Sequence, residues 1–379
     1  MVCFLLFKVK KSFSFERSQI SILVKIICMH IKIYLLTVFF LCKVSLAQQT
    51  ESTSLGLECV AFYNLENLFD TIVDPDSNKI LQEDFTPHGP KNFNSERYQH
   101  KLKNMAHAIS KIGKEVTPLG PSVIGVCEIE NRRVLEDLVN HKAIANKNYK
   151  IVHHEGPDRR GIDCALLYDP LHFQVTASKS VRLIIPNKDN FFTRDQLVVS
   201  GKMLGEKIHF IVIHWPSRRG GEAKSRAKRI EAAKLSKSII DSLTVLDPNA
   251  KVVLMGDFND DPISPSIKDF LKAKMDVNNV NSGELYNTMG MHYKKGIGTL
   301  AYRDQWNLFD QFIVTSSLID QKKNYNDLTF YRSVIFNKPF LKNKKGNFKG
   351  YPFRSYVGST FIGGYSDHFP VYLFLVKKV

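Results

Sequence analysis

The sequence predicts a single α/β domain, and three features carry that expectation. Short apolar runs of strand length alternate with helical patterns from about Leu57 to Leu375. No internal repeat, low-complexity linker or shift in composition divides that stretch. Hydrophobic residues make up 44% and charged residues 24% of the 379, the balance of a globular chain with a full core.

The first segment stands outside that domain. Residues 31–46 are mostly apolar, Lys32 precedes the run from Tyr34 to Leu41, and Ser45-Leu46-Ala47 offers small residues for cleavage before Gln48. A signal peptide region is expected over residues 1–47, with Met29 as the true start and residues 1–28 either spurious or an extended basic lead-in. The run is shorter than the roughly 20 apolar residues of a membrane span. The mature chain is therefore expected to be exported, periplasmic or secreted, with no stable membrane anchor. Leu41 stands before Cys42 where a lipid-attachment site wants a small residue. Residues 1–47 hold seven basic residues and one acidic, so their removal lowers the net charge from +16 to +10. That sign favours polyanionic partners, although plain solubility has the same signature. Cys59, Cys127 and Cys164 remain, each inside an apolar run. An odd number in such positions argues against a disulfide framework and for small core side chains.

Within residues 48–379, strands are expected at 57–63, 122–127, 164–168, 197–199, 208–213, 252–255, 308–314 and 371–375, rich in Val, Ile, Phe and Leu and bounded by turn residues. Helices are expected at 96–112 and 223–243. The second carries Ile230, Leu235, Ile239 and Ile240 along one side. Residues 321–360, rich in Lys, Asn, Gly and Tyr, read as a long loop.

Polar residues gather where the apolar strands end, the usual place for a site in an α/β protein. The first strand runs into Asn64, with Glu66 two residues on and so expected on the same side. The second ends in Glu128, and a carboxylate there is costly unless it is paired or bound to a cation; a hard ion such as Mg²⁺ takes oxygen ligands of this kind. Arg160 precedes a strand, within reach of a phosphate or of a salt-bridge partner. His214 follows another strand and opens a Pro-Ser-Arg-Arg-Gly-Gly loop, in which Arg218 and exposed N–H groups suit a phosphate. His209, inside the same strand, reads as structural.

Gly256-Asp257-Phe258-Asn259 follows four apolar residues, and Asp257 and Asn259 are expected to one side. Ser366-Asp367-His368 precedes the terminal strand. It offers a metal-side carboxylate and a general base. Such a histidine needs an orienting partner, and Asp310, an acid embedded in an apolar strand, is the candidate. Alone, each of these motifs also reads as a turn or a salt bridge.

Taken together, Asn64, Glu128, His214, Asp257 with Asn259, Asp310, and Asp367 with His368 resemble, in their order, the endonuclease/exonuclease/phosphatase superfamily of deoxyribonuclease I-like proteins, and the segments 160–168 and 214–221 resemble a branch of predicted secreted bacterial members. The resemblance spans Leu57 to Leu375. It implies a four-layer sandwich of two mixed β-sheets flanked by helices, with the site at one end between the sheets. It implies Asn64, Glu128 and Asp367 around Mg²⁺ or Mn²⁺, with Glu66 a further aid to the metal. His368, oriented by Asp310, would take the proton of the attacking water or hold a phosphate oxygen. Asp257 would position that water, Asn259 would bind a non-bridging oxygen, and His214 would stabilise the phosphate or protonate the leaving oxygen.

The superfamily acts on DNA, RNA, phospholipids and inositol phosphates, so the fold does not choose a substrate. The leading expectation is a monomeric exported nuclease acting on DNA or RNA. Lys338, Lys342, Lys344, Lys345, Lys349 and Arg354 are interleaved with Phe340, Phe348, Tyr351 and Phe353, a mixture that suits a sugar-phosphate backbone and exposed bases. A hydrolase of lipid head groups or small phosphate esters is the alternative. A non-catalytic binding module fits least, because every expected charged position is filled.

Overall fold

The computed structural model describes residues 3–46, 54–80 and 82–379, so the expected cleavage point between Ala47 and Gln48 lies outside the described residues. The chain divides into two units, Met1–Ser54 and Leu55–Val379. The first contains one helix, α1 (Cys3–Leu46). Its Ser18–Phe39 stretch is 22 residues, long and apolar enough to cross a membrane by length and composition, a test that a signal sequence near an N-terminus also passes. The expectation of a run too short to span is corrected here. Ile20, Ile22, Leu23, Val24, Ile26 and Ile27 continue the apolar surface upstream of Met29.

The second unit runs β1 (Leu55–Leu68), α2 (Ser95–Ile109), β2 (Val123–Ile129), α3 (Arg132–Val139), β3 (Lys150–His153), β4 (Asp163–Tyr168), β5 (Phe173–Val181), β6 (Gln196–Met203), β7 (Glu206–His214), α4 (Glu222–Leu246), β8 (Val252–Asp257), β9 (Ala273–Lys274), β10 (Leu285–Asn287), α5 (Gly290–Lys294), β11 (Leu300–Tyr302), β12 (Gln305–Asn307), β13 (Asp310–Thr315), β14 (Thr329–Ile335), β15 (Tyr356–Val357), β16 (Thr360–Phe361) and β17 (Val371–Lys378). The expected strands and helices are present. The 321–360 excursion is corrected in part: it contains β14, which pairs antiparallel with β17, and the β15–β16 hairpin. The strand expected to begin at 308 begins at Asp310.

Two mixed sheets result. One has six strands in the order β14-β17-β1-β2-β4-β3; the other has seven, in the order β5-β6-β7-β8-β13-β10-β9. Each is built on one central parallel pair, β1 with β2 and β7 with β8. Their inner faces share one core, in which Phe62, Val126, Leu166, Val199, Phe210, Met255 and Phe312 are fully buried. The sheets pack closely at Gly125, where a Cβ would stand 3.0 Å from the Met255 methyl of the facing sheet. A second core lies under α4, where Ala232, Ala233, Ile239 and Ile240 meet Ile211, Ile213, Val252 and Leu254. Cys59, Cys127 and Cys164 are buried and free.

This topology selects one end of the sandwich. A parallel pair delivers both carboxyl ends to the same edge. Antiparallel β13 and β17 begin at that edge, with Asp310 opposite Asp257 and Val371 opposite Phe62. Four strand ends and two strand starts therefore meet.

Candidate active site

Asn64 leaves β1 buried, and its Nδ2 donates to Asp257 Oδ2 at 3.2 Å across the two sheets. The β1–β2 register slips after Asn64, and a second slip falls between Cys127 and Ile129. Glu128 sits in that bulge at φ 60°, a left-handed conformation uncommon for a side-chain-bearing residue. The bulge aims Glu128 Oε1 toward His214 Nε2 (3.8 Å) and Arg160 Nη1 (3.9 Å), while Oε2 accepts from the Asn67 amide at 3.1 Å.

His214 and Asp257 are register partners on β7 and β8, and His214 Nε2 lies 3.5 Å from Asp257 Oδ2. Gly256 makes that approach possible, since a Cβ there would collide with the Ile213 carbonyl. Asn259, at φ 50°, donates its backbone N–H to Asp257 Oδ1 (2.8 Å) and its Nδ2 to Trp215 O (3.1 Å). From the strand starts, Asp310 Oδ2 stands 2.7 Å from His368 Nδ1. His368 Nε2 then lies 4.0 Å from both Asp257 Oδ2 and Asp367 Oδ1. Ser366 pins this corner: its Oγ donates to Asn64 O (2.7 Å) and accepts from the His368 amide (3.2 Å).

Burial sets the protonation states. It lifts the Asp257 carboxyl to about 7, and Asp310 adds to the lift, against the pull of His368. Burial alone would push the His368 imidazole down. The carboxylates of Asp310, Asp257 and Asp367 outweigh it and hold the ring well above its ordinary value. His214 is driven the other way by burial and by the guanidinium groups of Arg194 and Arg160, so its ring is neutral near pH 7. The site thus contains one cationic and one neutral imidazole on either side of Asp257.

Eight expected residues come together: Asn64, Glu128, His214, Asp257, Asn259, Asp310, Asp367 and His368, with Arg160 at the rim. Arg218 is a correction. Its Nε donates to Asn259 O (2.9 Å), its Nη2 to Asp260 Oδ1 (3.1 Å), and its guanidinium lies 4.5 Å over the Phe309 ring. It clamps the 257–261 turn, drawn there by the carboxylates of Asp260 and Asp261. Glu66 is a second correction. The register slip and a φ of 48° turn it toward Ser355, whose amide donates at 2.7 Å, and toward Arg354 Nε at 3.4 Å.

Arg354, one of the basic residues of the 338–354 segment, has a second role. It donates Nη2 to Asp367 Oδ2 at 2.6 Å, so it joins the corner held by His368. Lys101 is buried behind it, with Nζ on Ser355 Oγ (2.7 Å) and Tyr365 O (2.6 Å), and burial pushes its ammonium down to about 8. No pattern in the sequence marks Lys101, and the basic run that contains Arg354 does not mark it as a partner of Asp367, because both reach the site from outside the strands that frame it.

The donor set suits a hard divalent cation. Glu128, Asp367 and the Asn64 carboxamide offer oxygens, and Asp257, Asp310 and His368 offer ligand atoms within 4.8 Å of one another. Asp310 Oδ1 is buried without a hydrogen-bond partner. Burial, and after it a neighbouring carboxylate (Asp310 for Asp257, Asp367 for Glu66), lifts the carboxyls of Asp257 and Glu66 to about 7.

Residues 59–377 match a family model described as the Endonuclease/Exonuclease/phosphatase family. Among solved structures, a Bacteroides thetaiotaomicron protein of that family is 17% identical, with a TM-score of 0.50, covering 86% of this chain and 98% of its own. A mannosyl-6-phosphatase of the same organism is 17% identical, with a TM-score of 0.50 and coverage of 84% and 99%. TDP2 of D. rerio, complexed with a single-strand DNA product, is 13% identical, with a TM-score of 0.49 and coverage of 84% and 99%. No curated protein matches. At such identities the likeness concerns the fold.

Proposed function

The chain belongs to the endonuclease/exonuclease/phosphatase family, whose members hydrolyse phosphate esters, and on that footing we propose that it is an exported, Mg²⁺- or Mn²⁺-dependent phosphodiesterase acting on nucleic acid as a monomer. One observation carries the reading: Asn64, His214 and His368 converge on Asp257 Oδ2 at 3.2, 3.5 and 4.0 Å. A buried acid ringed by nitrogen donors suits the binding of a water and a phosphoryl group together.

Glu128, Asp367 and Asn64 would hold the metal. Once bound, it would neutralise charge developing on the phosphoryl oxygens. Asp257, with its carboxyl near 7, is suited to accept the proton of the attacking water. Asn64 Nδ2 fixes which oxygen of Asp257 faces the site. His368, ion-paired with Asp310, donates from Nε2 to a phosphoryl oxygen. Neutral His214 contributes an N–H donor without adding charge, and Asn259 has one amide hydrogen left for a non-bridging oxygen.

Nucleic acid is favoured by the 338–354 segment. It borders a cavity of about 530 Å³ lined by Lys342, Lys344 and Lys345 with Phe340 and Phe353. The purified protein is expected to cleave plasmid DNA, RNA or bis(p-nitrophenyl) phosphate with Mg²⁺ or Mn²⁺ and to lose that activity in EDTA. Failure on all three substrates overturns the proposal, and turnover confined to phosphomonoesters moves it to the small-ester reading. Export is supported by the apolar Ser18–Phe39 helix. N-terminal sequencing of the exported form should read from Gln48, and an intact α1 in the membrane fraction would refute cleavage.

A further inference from the structure

Beside the Glu128–His214 side of the site lies a cleft of about 230 Å³ that the chemistry above does not use. Arg159 and Arg160 line it from the β3–β4 loop, Phe191 and Phe192 from the β5–β6 loop, Arg219 from the segment after His214, and Lys228 from α4. Its single lining acid, Asp158, is already engaged. It accepts from the buried Arg194 Nη1 at 3.2 Å and from the Arg160 amide at 2.8 Å. Arg194 in turn donates Nε to His214 O at 3.1 Å, and so ties the floor of the cleft to the catalytic strand.

Three cations, Arg159, Arg219 and Lys228, are left without a carboxylate of their own inside the cleft, and Arg160 Nε shares Asp158 at 3.6 Å. Arg159 lies 5.3 Å over the Phe192 ring and Lys228 lies 4.5 Å over the Phe191 ring. Arg160 keeps a buried Nη2 with no hydrogen-bond partner, although its Nη1 stands 3.9 Å from Glu128. Arg219 is exposed and makes no ion pair among the described residues. Burial, and then Lys188 and Lys224, push the Lys228 ammonium down from its ordinary value, so positive charge is already in excess there. Like charges gathered around a concavity repel one another unless an anion enters.

We propose that this cleft is a nucleotide subsite. The phosphate next to the scissile one sits among Arg159, Arg160, Arg219 and Lys228, and its base stacks on the exposed edge of Phe192. Basic walls with an aromatic platform are what a single strand needs, with charge for the backbone and a π-face for any base. A lone phosphate ester would occupy the catalytic corner and leave the cleft empty. The subsite therefore makes a single-stranded polynucleotide the preferred substrate class. The inference rests on the phosphodiesterase reading, and the test separates the two.

The probe is a fluorescein-labelled oligothymidylate of eight nucleotides, titrated by anisotropy into the full chain in EDTA, where no cleavage occurs. The double variant Arg159→Ala/Lys228→Ala is expected to bind at least tenfold more weakly. Its slope of log affinity against log salt should be shallower by up to about 0.7, the contribution of the one phosphate that both cations face on a single strand. Phe192→Leu should weaken binding by about fivefold or more and leave that slope unchanged, which separates stacking from charge. With Mg²⁺, the double variant should lose at least tenfold more kcat/KM on the oligonucleotide than on bis(p-nitrophenyl) phosphate. Unchanged affinity and slope in the double variant overturn the subsite, as does an equal loss on both substrates. If the wild type hydrolyses neither substrate, the phosphodiesterase reading fails, while the EDTA titration still decides whether the cleft binds the strand.

Discussion

Asp310→Asn removes one charge and almost no volume from the centre of the site, so its consequences can be worked through. Asp310 Oδ2 stands 2.7 Å from His368 Nδ1, and both residues are buried. Hydrogen bonds to charged groups contribute about 1.5–3 kcal/mol. At 1.36 kcal/mol per pKa unit, losing the charge should lower the His368 midpoint by about one to two units. Burial already pulls that midpoint down and would then take over. Asp257 moves the same way, because Asp310 is part of what lifts its carboxyl to about 7. If protonated His368 holds the phosphoryl oxygen, the alkaline limb of the kcat–pH profile should move down by the same one to two units as the imidazole midpoint, in step with the protonated fraction. Asn still accepts a hydrogen bond from Nδ1–H, so the ring keeps its orientation and the melting temperature should hold. The assay pairs an NMR titration of the His368 imidazole with a kcat–pH profile on bis(p-nitrophenyl) phosphate. A midpoint shifted by less than half a unit, with the alkaline limb unmoved, would refute the reasoning.

Without metal, the protein should lose stability between about pH 6.5 and 8.5. The folded-state values of Asp257 and Glu66 (about 7), of Glu130 (about 8) and of His368 all lie above their ordinary ones, so the folded chain binds more protons in that window and stability falls as pH rises. His214 opposes this only below about pH 6.5, where the unfolded ring is protonated and the buried one is not. Chemical denaturation in EDTA at several pH values checks the slope, and a rise across the window would contradict it. Added Mg²⁺ should raise the melting temperature of the wild type, and Glu128→Gln should lose most of that shift; an undiminished shift would remove Glu128 from the metal set. Gly256→Ala should cost about 1–3 kcal/mol, because the methyl meets the Ile213 carbonyl, and should lower kcat by displacing Asp257 from His214. Wild-type stability in that variant would deny the close approach.

The strands that bury both faces are legible in the sequence because nothing interrupts their apolar runs. Residues Val252 to Met255 and Val371 to Leu375 are fully buried or nearly so. The edge strand β5 is not legible. Gln174, Thr176, Ala177, Ser178 and Lys179 face solvent, so neither an apolar run nor a clean alternation marks it. The small helix α3 left one signal that could have been read, the Asn131 cap whose side chain accepts from the Val134 amide. β14 hides for a third reason. It has a bulge between Phe330 and Arg332, so its inward positions do not recur at a period of two.

The same distinction separates the site residues that were legible from those that were not. His214 and Asp257 end buried strands, Asn64 and Glu128 stand where the strand ladders slip, and Asp310 and His368 stand at or just before the start of two others, so polar residues beside apolar runs, taken together and in order, point to them. What the sequence cannot convey is where a side chain turns after the ladder breaks. Counting by twos puts Glu66 on the face of Asn64, yet the left-handed turns at Glu66 and Asn67 send it to Ser355 and Arg354. Glu128, by contrast, depends on its own left-handed turn to reach the site. A residue held at φ 60° without being glycine costs of order 1–3 kcal/mol, and it persists only where the surroundings overdetermine it. Here the Asn67 amide holds Oε2, and the bulge that aims Oε1 at His214 and Arg160 also leaves Cys127 in register with Cys164. The strain is therefore local to one residue, while the core strand on either side stays intact. This allows one carboxylate to face both Arg160 and His214 at once.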